Sequence, residues 1–386
     1  MKKLCFVATI PAVVHAFLRG HIQAAAEKYQ VTVVCNSADE HLLEGLNARF
    51  VLLPIERKPS LWKDTLVLFQ LFRLFRRERF DIVHSHMPKT GLLGMLAARM
   101  AGIPIRINTF HGEVWATRSG VRRAALKLFD RLVGALATDI LAVSPSQKIF
   151  LESEGVLSPG KAMVIGAGSI CGIDAARFHP NETMKKSVRH ELAIARDATV
   201  ILFVGRLNRD KGVLDMASAF DAIAKDNPDV VLLLVGSEED VAFSRIQEIC
   251  DAVSERLRHV SFTPAPERYM AAADIYCLPS YREGFGMTII EAAACAVPTV
   301  ATRIYGITDA VAEGKTGLLY PVGDVAALTQ NLLKLIAEKD LRKQMGIAAR
   351  QRAMELFPSE KIIRETMMMY DGLLEERGRK KDKEHD

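Results

Sequence analysis

The sequence predicts an α/β protein of two Rossmann-like, doubly wound domains that face each other across a cleft. Three observations predict this fold. The length of 386 residues suits about two domains. Short β-branched runs alternate with helical runs, as in parallel sheets joined by crossover helices. A polar, charged stretch at residues 179–190 interrupts the alternation, and we interpret it as the linker between the domains.

The chain begins with an apolar run, which we interpret as a buried strand over residues 4–10. Its basic start also resembles a secretory signal peptide, but Pro11 interrupts the apolar stretch. Helical patterns follow at residues 11–29 and 91–102, and Gly102 closes the second. Further strands of the first half are predicted at residues 31–35, 80–86, 103–112, 138–146 and 162–169.

The second half repeats the alternation, with strands predicted at residues 198–207, 230–237, 260–264, 274–280, 297–303 and 317–321. We therefore assign residues 1–180 to an N-terminal domain and 181–360 to a C-terminal domain. Residues 361–386 are assigned to a C-terminal helix and a charged, frayed tail, which could pack back on the first domain. No apolar run reaches the roughly 18 residues that a membrane-spanning helix needs.

Composition excludes some classes of protein. Hydrophobic residues make up 49% of the chain, enough for two cores, and the net charge of +5 is mildly basic. This charge suits phosphates or an acidic membrane surface. No nucleic-acid-binding motif accompanies it, so nucleic acid is not an expected partner. The six cysteines form no C-x-x-C pair, which predicts buried, reduced thiols in a reducing compartment.

The strongest motif is the nonapeptide from Glu283 to Glu291, EGFGMTIIE, which follows a predicted strand and opens a helix. Its glycines let the backbone approach a ligand closely, and the helix N-terminus offers free amides to an anion. Carboxylates beside a phosphate site suit hydroxyl donors, such as those of a sugar and a ribose. The alternative is a glycine-rich turn with Glu291 as a surface charge.

A second motif runs from Val204 to Gly212, VGRLNRDKG, where a strand ends at Gly205. Arg206 and Lys211 then project from the following loop. A guanidinium fork and an ammonium group together suit a diphosphate, and they could neutralise a leaving nucleotide without a metal ion. The alternative is a solvated basic loop.

Three histidines stand at predicted strand ends. His111 lies in TFHG, at the carboxyl end of its strand, which favours a functional role. His84 and His86 in HSHMPK could indicate a metal, but no third ligand lies at a suitable spacing. An acceptor-side or packing role is therefore expected for both.

Residues 164–172, VIGAGSICG, resemble a dinucleotide-binding fingerprint. The glycine spacing differs from the usual one, and no helical run follows. We therefore interpret this segment as a loop rather than as a nicotinamide cofactor site.

The two motifs together resemble those of glycosyltransferase family 4, the retaining enzymes with the GT-B fold. The resemblance covers nearly the whole chain, with further matches at residues 109–112, 142–146, 172–180 and 313–324. It implies an N-terminal acceptor-binding domain and a C-terminal domain for a nucleotide-sugar donor. It also implies that no metal ion is needed and that no carboxylate acts as a nucleophile.

By this resemblance, Arg206 and Lys211 hold the donor pyrophosphate and Glu283 contacts the donor-sugar hydroxyls. Glu291 binds the ribose, and His111 reaches the donor sugar near the reacting centre. The implied catalytic residues are therefore His111, Arg206, Lys211 and Glu283. The implied donor site also includes Gly205, Gly284, Phe285, Gly286 and Met287.

Some details resemble the branch of the family that acts in capsule and O-antigen synthesis. Where many relatives carry a double glycine, residues 9–20 contain Gly20 alone, and residues 86–104 also match this branch. The branch implies a UDP-linked N-acetylhexosamine or related donor and a polyprenyl-diphosphate-linked saccharide acceptor. It implies a cytoplasmic enzyme, peripheral on the inner membrane. Pro264 replaces a glycine of many relatives, which leaves the contacts to the nucleotide base open.

Residues 61–80 combine apolar residues at helical spacing with a basic end, formed by Arg73, Arg76, Arg77 and Arg79. Such a helix could lie on anionic lipid, and residues 118–131 form a second basic stretch. The alternative is a crossover helix with a core face and a solvated basic end. Two other functions also stay open, a nucleotide-sugar epimerase or hydrolase and a non-catalytic sugar-nucleotide-binding subunit.

Overall fold

The computed structural model describes residues 1–37, 39, 41–56 and 60–383. It divides the chain into two compact units, the first comprising Met1–Gly172 and Ser359–Asp386 and the second Ile173–Pro358. The boundary therefore falls after residue 172 rather than after residue 180, and the C-terminal segment belongs to the first unit.

The described part of the first unit contains a seven-stranded parallel sheet in the order β3-β2-β1-β4-β5-β6-β7. The predicted first strand is confirmed, because β1 lies inside the sheet and is buried from Leu4 to Val7. It ends before residue 10, since Pro11 opens a helix. Strand β3 was not predicted. The strands are β1 (Lys2–Val7), β2 (Tyr29–Cys35), β3 (Ala48–Leu52), β4 (Ile82–His86), β5 (Ile105–Phe110), β6 (Asp139–Ala142) and β7 (Ala162–Met163).

Helices cover this sheet. The predicted helix at residues 11–29 is interrupted by a π-helical turn at Val14–Leu18. A 3-10 turn follows β5 at Val114–Thr117. The α-helices of this part of the chain are α1 (Pro11–Val13), α2 (Arg19–Ala26), α3 (Leu61–Glu78), α4 (Pro88–Met100), α5 (Gly120–Leu136) and α6 (Pro145–Ser153).

The second unit contains a six-stranded parallel sheet in the order β10-β9-β8-β11-β12-β13. Its strands are β8 (Thr199–Val204), β9 (Val230–Val235), β10 (Leu257–Val260), β11 (Ile275–Leu278), β12 (Thr299–Thr302) and β13 (Gly317–Tyr320). Its α-helices are α7 (Glu182–Glu191), α8 (Val213–Ala224), α9 (Phe243–Ile249), α10 (Pro266–Ala272), α11 (Met287–Ala294), α12 (Ile307–Ala310), α13 (Val325–Ala337) and α14 (Lys339–Leu356). The predicted pair of parallel-sheet, Rossmann-like domains is confirmed.

The predicted linker at residues 179–190 is wrong, because helix α7 occupies most of it. The Asn181 side chain caps this helix by accepting a hydrogen bond from the Met184 amide at 2.9 Å. The sequence of this helix is polar because the helix buries little besides Val188 and Arg189. The buried Arg189 guanidinium pairs with Asp274 at 2.7 Å. The buried face of α7 therefore contains an ion pair where an amphipathic helix would have an apolar side chain, and the sequence shows no apolar stripe.

The final helix, α15 (Ser359–Lys383), packs against the first unit, and its helical structure extends through most of the tail that was predicted to fray. Tyr370 is fully buried in the core of this unit. Asp371 accepts a hydrogen bond from Lys28 at 2.8 Å. A Cβ atom on Gly20 would lie 2.6 Å from Ile363, so this glycine allows α2 and α15 to pack closely.

All six cysteines are free thiols, and five of them are buried. Among the helices that the structure describes, none is both long and apolar enough to span a membrane.

We expect Arg189→Met to lower the free energy of unfolding of the second unit by about 3 kcal/mol, because it leaves the Asp274 carboxylate without its buried partner. Calorimetric unfolding measures this loss. The control is Lys185→Ala, which removes the more exposed cation beside Asp274 and should cost at most about 1 kcal/mol. Equal effects of the two substitutions would contradict the role of Arg189 as the stabilising buried partner of Asp274.

Candidate functional site

The two sequence motifs follow adjacent strands of the second sheet. Strand β8 pairs with β9 on one side and with β11 on the other, so the order of the strands reverses between β8 and β11. Ligands of open α/β sheets bind at such a switch point, beyond the carboxyl ends of the strands. The motif at 204–212 follows β8 and the motif at 283–291 follows β11, so the fold brings both to this point.

The loops that carry the motifs touch through their backbones. Gly212 has a φ of +70°, and a Cβ atom there would lie 2.0 Å from the Pro279 carbonyl oxygen. Only glycine combines this left-handed conformation with so close an approach. The Tyr281 amide donates to the Asp210 carbonyl oxygen at 2.8 Å, and Arg282 pairs with the Asp210 side chain at 3.0 Å.

This contact places Lys211 next to Glu283, with 2.5 Å between Nζ and Oε1. Ser280 also donates a hydrogen bond to the same carboxylate oxygen at 2.9 Å. The predicted phosphate-binding cation and the predicted sugar-binding carboxylate are therefore neighbours, and in the ligand-free protein they neutralise each other.

Arg206 is exposed, as expected for a ligand-binding side chain, but it pairs with a residue that the sequence analysis missed. Its guanidinium contacts the carboxylate of Glu239, which lies in the loop after β9. Asn208 also donates to Glu239, at 2.6 Å. The sequence signal that could have indicated this partner is the polar loop after β9, the strand next to β8. Charge alone, however, does not show which of Glu238, Glu239 and Asp240 pairs with Arg206.

The turn after β11 leads directly into helix α11, whose N-cap is Gly286. Phe285 is buried against Phe357, with 5.4 Å between ring centroids, and the Met287 side chain is also buried. These two predicted donor-site residues can therefore offer a ligand only their backbone. The carbonyl oxygen of Gly284 would lie 2.6 Å from a Cβ atom on Gly306, so the loop after β12 supports the turn.

Glu291 lies on α11 and is only partly exposed. Its carboxylate forms no hydrogen bond or ion pair within the residues that the structure describes. Burial raises its pKa to about 8, although the positive charge of Arg177 lowers the pKa in part. Arg177 itself pairs with Glu267 at 2.8 Å. A carboxyl group in this position suits a ligand that supplies hydroxyl groups.

His111 follows β5 in the first unit and is bonded to His86, with 3.1 Å between His111 Nε2 and His86 Nδ1. Burial lowers the pKa of His111 to about 4, so its imidazole is neutral at physiological pH. His84 and His86 are both buried on β4. Gln147 anchors the loop after β5 by donating to the Phe110 carbonyl oxygen at 3.3 Å.

The glycine-rich segment at residues 164–172 is an irregular loop, as predicted, and it ends at the boundary of the first unit. Among the described residues, no group of three or more His, Cys, Asp or Glu side chains is placed to hold a metal ion.

Two family models match the chain, "Glycosyl transferases group 1" over residues 184–352 and "Glycosyl transferase 4-like domain" over residues 18–168. The capsular polysaccharide biosynthesis glycosyltransferase CapM of Staphylococcus aureus is 30% identical over 360 residues, covering 93% of this chain and 94% of CapM. The UDP-Gal:alpha-D-GlcNAc-diphosphoundecaprenol alpha-1,3-galactosyltransferase of Escherichia coli is 28% identical, covering 82% of each chain.

Among solved structures, Anabaena HepE in complex with UDP-glucose superimposes with a TM-score of 0.80 at 18% sequence identity. The match covers 96% of this chain and all of HepE (100%). At this identity the likeness shows the fold alone.

The two parallel-sheet domains and the matches to both of them define the protein as a glycosyltransferase. More specifically, the chain belongs to glycosyltransferase family 4, the retaining enzymes with the GT-B fold.

We expect Glu291→Gln to stabilise the ligand-free protein at alkaline pH. Because the pKa of Glu291 in the folded protein, about 8, exceeds its ordinary value of 4.5, the folded state binds more protons than the unfolded state between these pH values. The stability that Glu291 contributes therefore falls as the pH rises through this window. At pH 8.5 the variant should unfold about 2–4 °C above the wild type, and the difference should shrink toward pH 5.

The matched control is Glu283→Gln. It leaves the Lys211 ammonium group with a weaker partner, so it should not raise the unfolding temperature. A Glu291→Gln variant with the same difference from the wild type at every pH would refute the expected role of burial at this site.

Proposed function

We propose that the protein transfers a sugar, with retention at the anomeric carbon, from a UDP-sugar donor to a polyprenyl-diphosphate-linked saccharide in surface polysaccharide synthesis. The proposed donor is a UDP-linked N-acetylhexosamine or a related sugar. The observation that carries the proposal is the contact of Lys211 with Glu283 at the switch point between β8 and β11. The loop after β8 also carries Arg206, and helix α11, which follows β11, carries Glu291. The likeness to CapM supports a role in surface polysaccharide synthesis. The likeness to the Escherichia coli galactosyltransferase, whose name specifies a GlcNAc-diphosphoundecaprenol acceptor, supports the acceptor class.

In this proposal Arg206 and Lys211 bind the donor diphosphate in place of their present partners Glu239 and Glu283. Glu283 is then free to accept hydrogen bonds from sugar hydroxyls, and Glu291 accepts them from the ribose. A guanidinium fork and an ammonium group in the loop after β8, together with the N-terminus of α11, match the charge and shape of a diphosphate.

The proposed reaction breaks the bond between the anomeric carbon and the UDP oxygen and forms a bond to the acceptor oxygen on the same face. The departing phosphate receives negative charge, which Arg206, Lys211 and the α11 amides stabilise. It also takes the proton of the acceptor hydroxyl, so charges and atoms balance without a metal ion or a protein nucleophile. His111 contacts the donor sugar with a neutral imidazole.

The proposal includes peripheral contact with an anionic membrane at the cytoplasmic face of the inner membrane. Helix α3 buries one apolar face, but it also exposes Trp62 by 84% and Phe69 by 57%. The crossover-helix interpretation does not explain these exposed residues. Helix α5, which like α3 packs against α4, exposes Phe129 and Leu132. Basic residues next to exposed aromatic and aliphatic groups suit an anionic lipid surface.

The function is tested by incubating the purified protein with EDTA, UDP-sugars and a synthetic polyprenyl-diphosphate-linked N-acetylglucosamine, and by detecting the elongated lipid. Product in the presence of EDTA supports a metal-independent transferase. Sugar release or isomerisation without the acceptor would instead identify a hydrolase or epimerase. Stabilisation by a UDP-sugar without turnover on any lipid-linked acceptor would favour a non-catalytic binding subunit.

We expect Lys211→Ala to lower kcat by about 100- to 1000-fold, because it removes one of the groups that stabilise the leaving diphosphate. The control is Arg209→Ala, which removes an exposed cation from the same loop and should change kcat less than about threefold. Steady-state transfer kinetics measure both variants, and circular dichroism confirms their folding. Near-normal turnover of Lys211→Ala would refute the diphosphate assignment.

We expect the double variant Trp62→Ser, Phe69→Ser to bind vesicles containing phosphatidylglycerol at least about tenfold more weakly than the wild type, because burial of each aromatic side chain stabilises by about 1.5–3 kcal/mol. Co-sedimentation measures the binding. The control is Ile149→Ser on α6, which removes a side chain that is 65% exposed elsewhere in the first unit. Equal binding by all three proteins would exclude α3 as the membrane-facing element.

A further inference from the structure

The first unit contains a small internal cavity that three histidines line. Its volume is about 30 Å³, room for a water molecule, and His21, His84 and His86 line it together with Thr109 and Tyr370. All three histidines are buried. The fourth histidine of this cluster, His111, is bonded to His86.

Both ring nitrogens of His84 have hydrogen-bond partners inside the first unit. Its Nδ1 lies 2.6 Å from the Tyr370 hydroxyl, and its Nε2 lies 2.7 Å from the Thr109 hydroxyl. Both partners can donate or accept, so the protonation of His84 adapts to them. His84 also has no bond to His111.

The protonation of His21 is fixed by its partner. Its Nε2 lies 3.0 Å from the carbonyl oxygen of Ile170, and a carbonyl oxygen only accepts hydrogen bonds. The hydrogen of His21 is therefore on Nε2. Burial lowers the pKa of this residue, so the ring is neutral and Nδ1 is a bare acceptor.

His86 has one bonded nitrogen and one that has no partner among the residues that the structure describes. Its Nδ1 lies 3.1 Å from His111 Nε2, and its Nε2 is buried without a hydrogen bond. A buried N–H group without an acceptor is rarer in proteins than an unused acceptor. The less costly arrangement therefore leaves Nε2 bare.

With Nε2 bare, the hydrogen of neutral His86 is on Nδ1 and is donated to His111 Nε2. His111 Nε2 must then be an acceptor, which leaves the hydrogen of His111 on Nδ1. The ring of Phe17 stacks on His111 with 6.4 Å between centroids and helps to hold its orientation.

We infer that His86 is a positioning residue, which fixes His111 in the tautomer with its proton on Nδ1, so that His111 offers a ligand an N–H donor. This inference rests on the proposed function, in which His111 contacts the donor sugar. The chemical partner of such a donor is an oxygen atom of that sugar, such as a hydroxyl oxygen.

The tautomer can be observed directly in the wild-type protein. Two-bond ¹H–¹⁵N correlation spectra of protein labelled with ¹⁵N-histidine distinguish protonated from bare ring nitrogens, and a His111→Gln variant assigns the His111 signals. We expect a protonated Nδ1 and a bare Nε2 in His111. A protonated Nε2 would overturn the inference, whatever the enzyme's activity.

Substitutions at His86 then test whether it sets this tautomer. In His86→Leu the donor is removed, so the Nδ1-protonated form of His111 should no longer dominate. His86→Asn retains an N–H near the Nδ1 position and should restore it. The matched control, His84→Leu, removes a buried imidazole from the same strand face but not the bond to His111, so the tautomer should stay unchanged. An unchanged His111 signal in His86→Leu would contradict the positioning role.

The kinetic consequence is measured with UDP-N-acetylglucosamine. We expect His86→Leu to lower kcat/KM by about 10- to 100-fold, as is typical when an outer partner of a functional imidazole is removed, and His86→Asn to recover most of it. In a His111→Asn background, His86→Leu should cause no further loss, whereas a purely structural role would persist. If no donor is turned over, the proposed function fails, while the spectra still decide the tautomer.

Discussion

The backbone contact between Gly212 and Pro279 is the constraint on which the proposed donor site depends. Strands β8 and β11 are neighbours in the sheet although β9 and β10 lie between them in the chain. The loops that follow β8 and β11 can meet only if one loop has no side chain at the contact. That requirement is met by Gly212 in a left-handed conformation. The meeting of Lys211 with Glu283 follows from this contact rather than from any property of either residue alone.

The charges of the proposed donor site comprise two cations that carboxylates compensate and one carboxylate whose charge burial disfavours. Arg206 and Lys211 are each paired with a carboxylate, so the loops carry no excess positive charge that would push them apart before a diphosphate arrives. Glu291 has no such partner among the described residues, and burial raises its pKa, so the folded state disfavours its charge. Groups that cost stability in the free protein are common at sites that bind ligands.

In the first unit, helix α15 completes the core around the buried histidines of β4. Helix α15 supplies Tyr370 to the imidazole of His84, and it packs against α2 at Gly20. The buried histidines of β4 are thus enclosed by a segment from the far end of the chain. This enclosure shields the cluster from bulk solvent, and the burial lowers the pKa of His84 and His86, so both rings are neutral.

The sequence by itself determined the two parallel sheets, the two loop motifs and the position of His111, because strand periodicity and glycine-rich strand–helix turns are local features. It did not reveal helix α7, whose buried face contains Arg189 in place of an apolar residue, or β3. It also did not reveal Glu239 as the partner of Arg206, or the bond from His86 to His111. Those features were decided by tertiary structure, because each depends on a backbone or side-chain contact between segments that are separated in the chain, and no local pattern records such a contact.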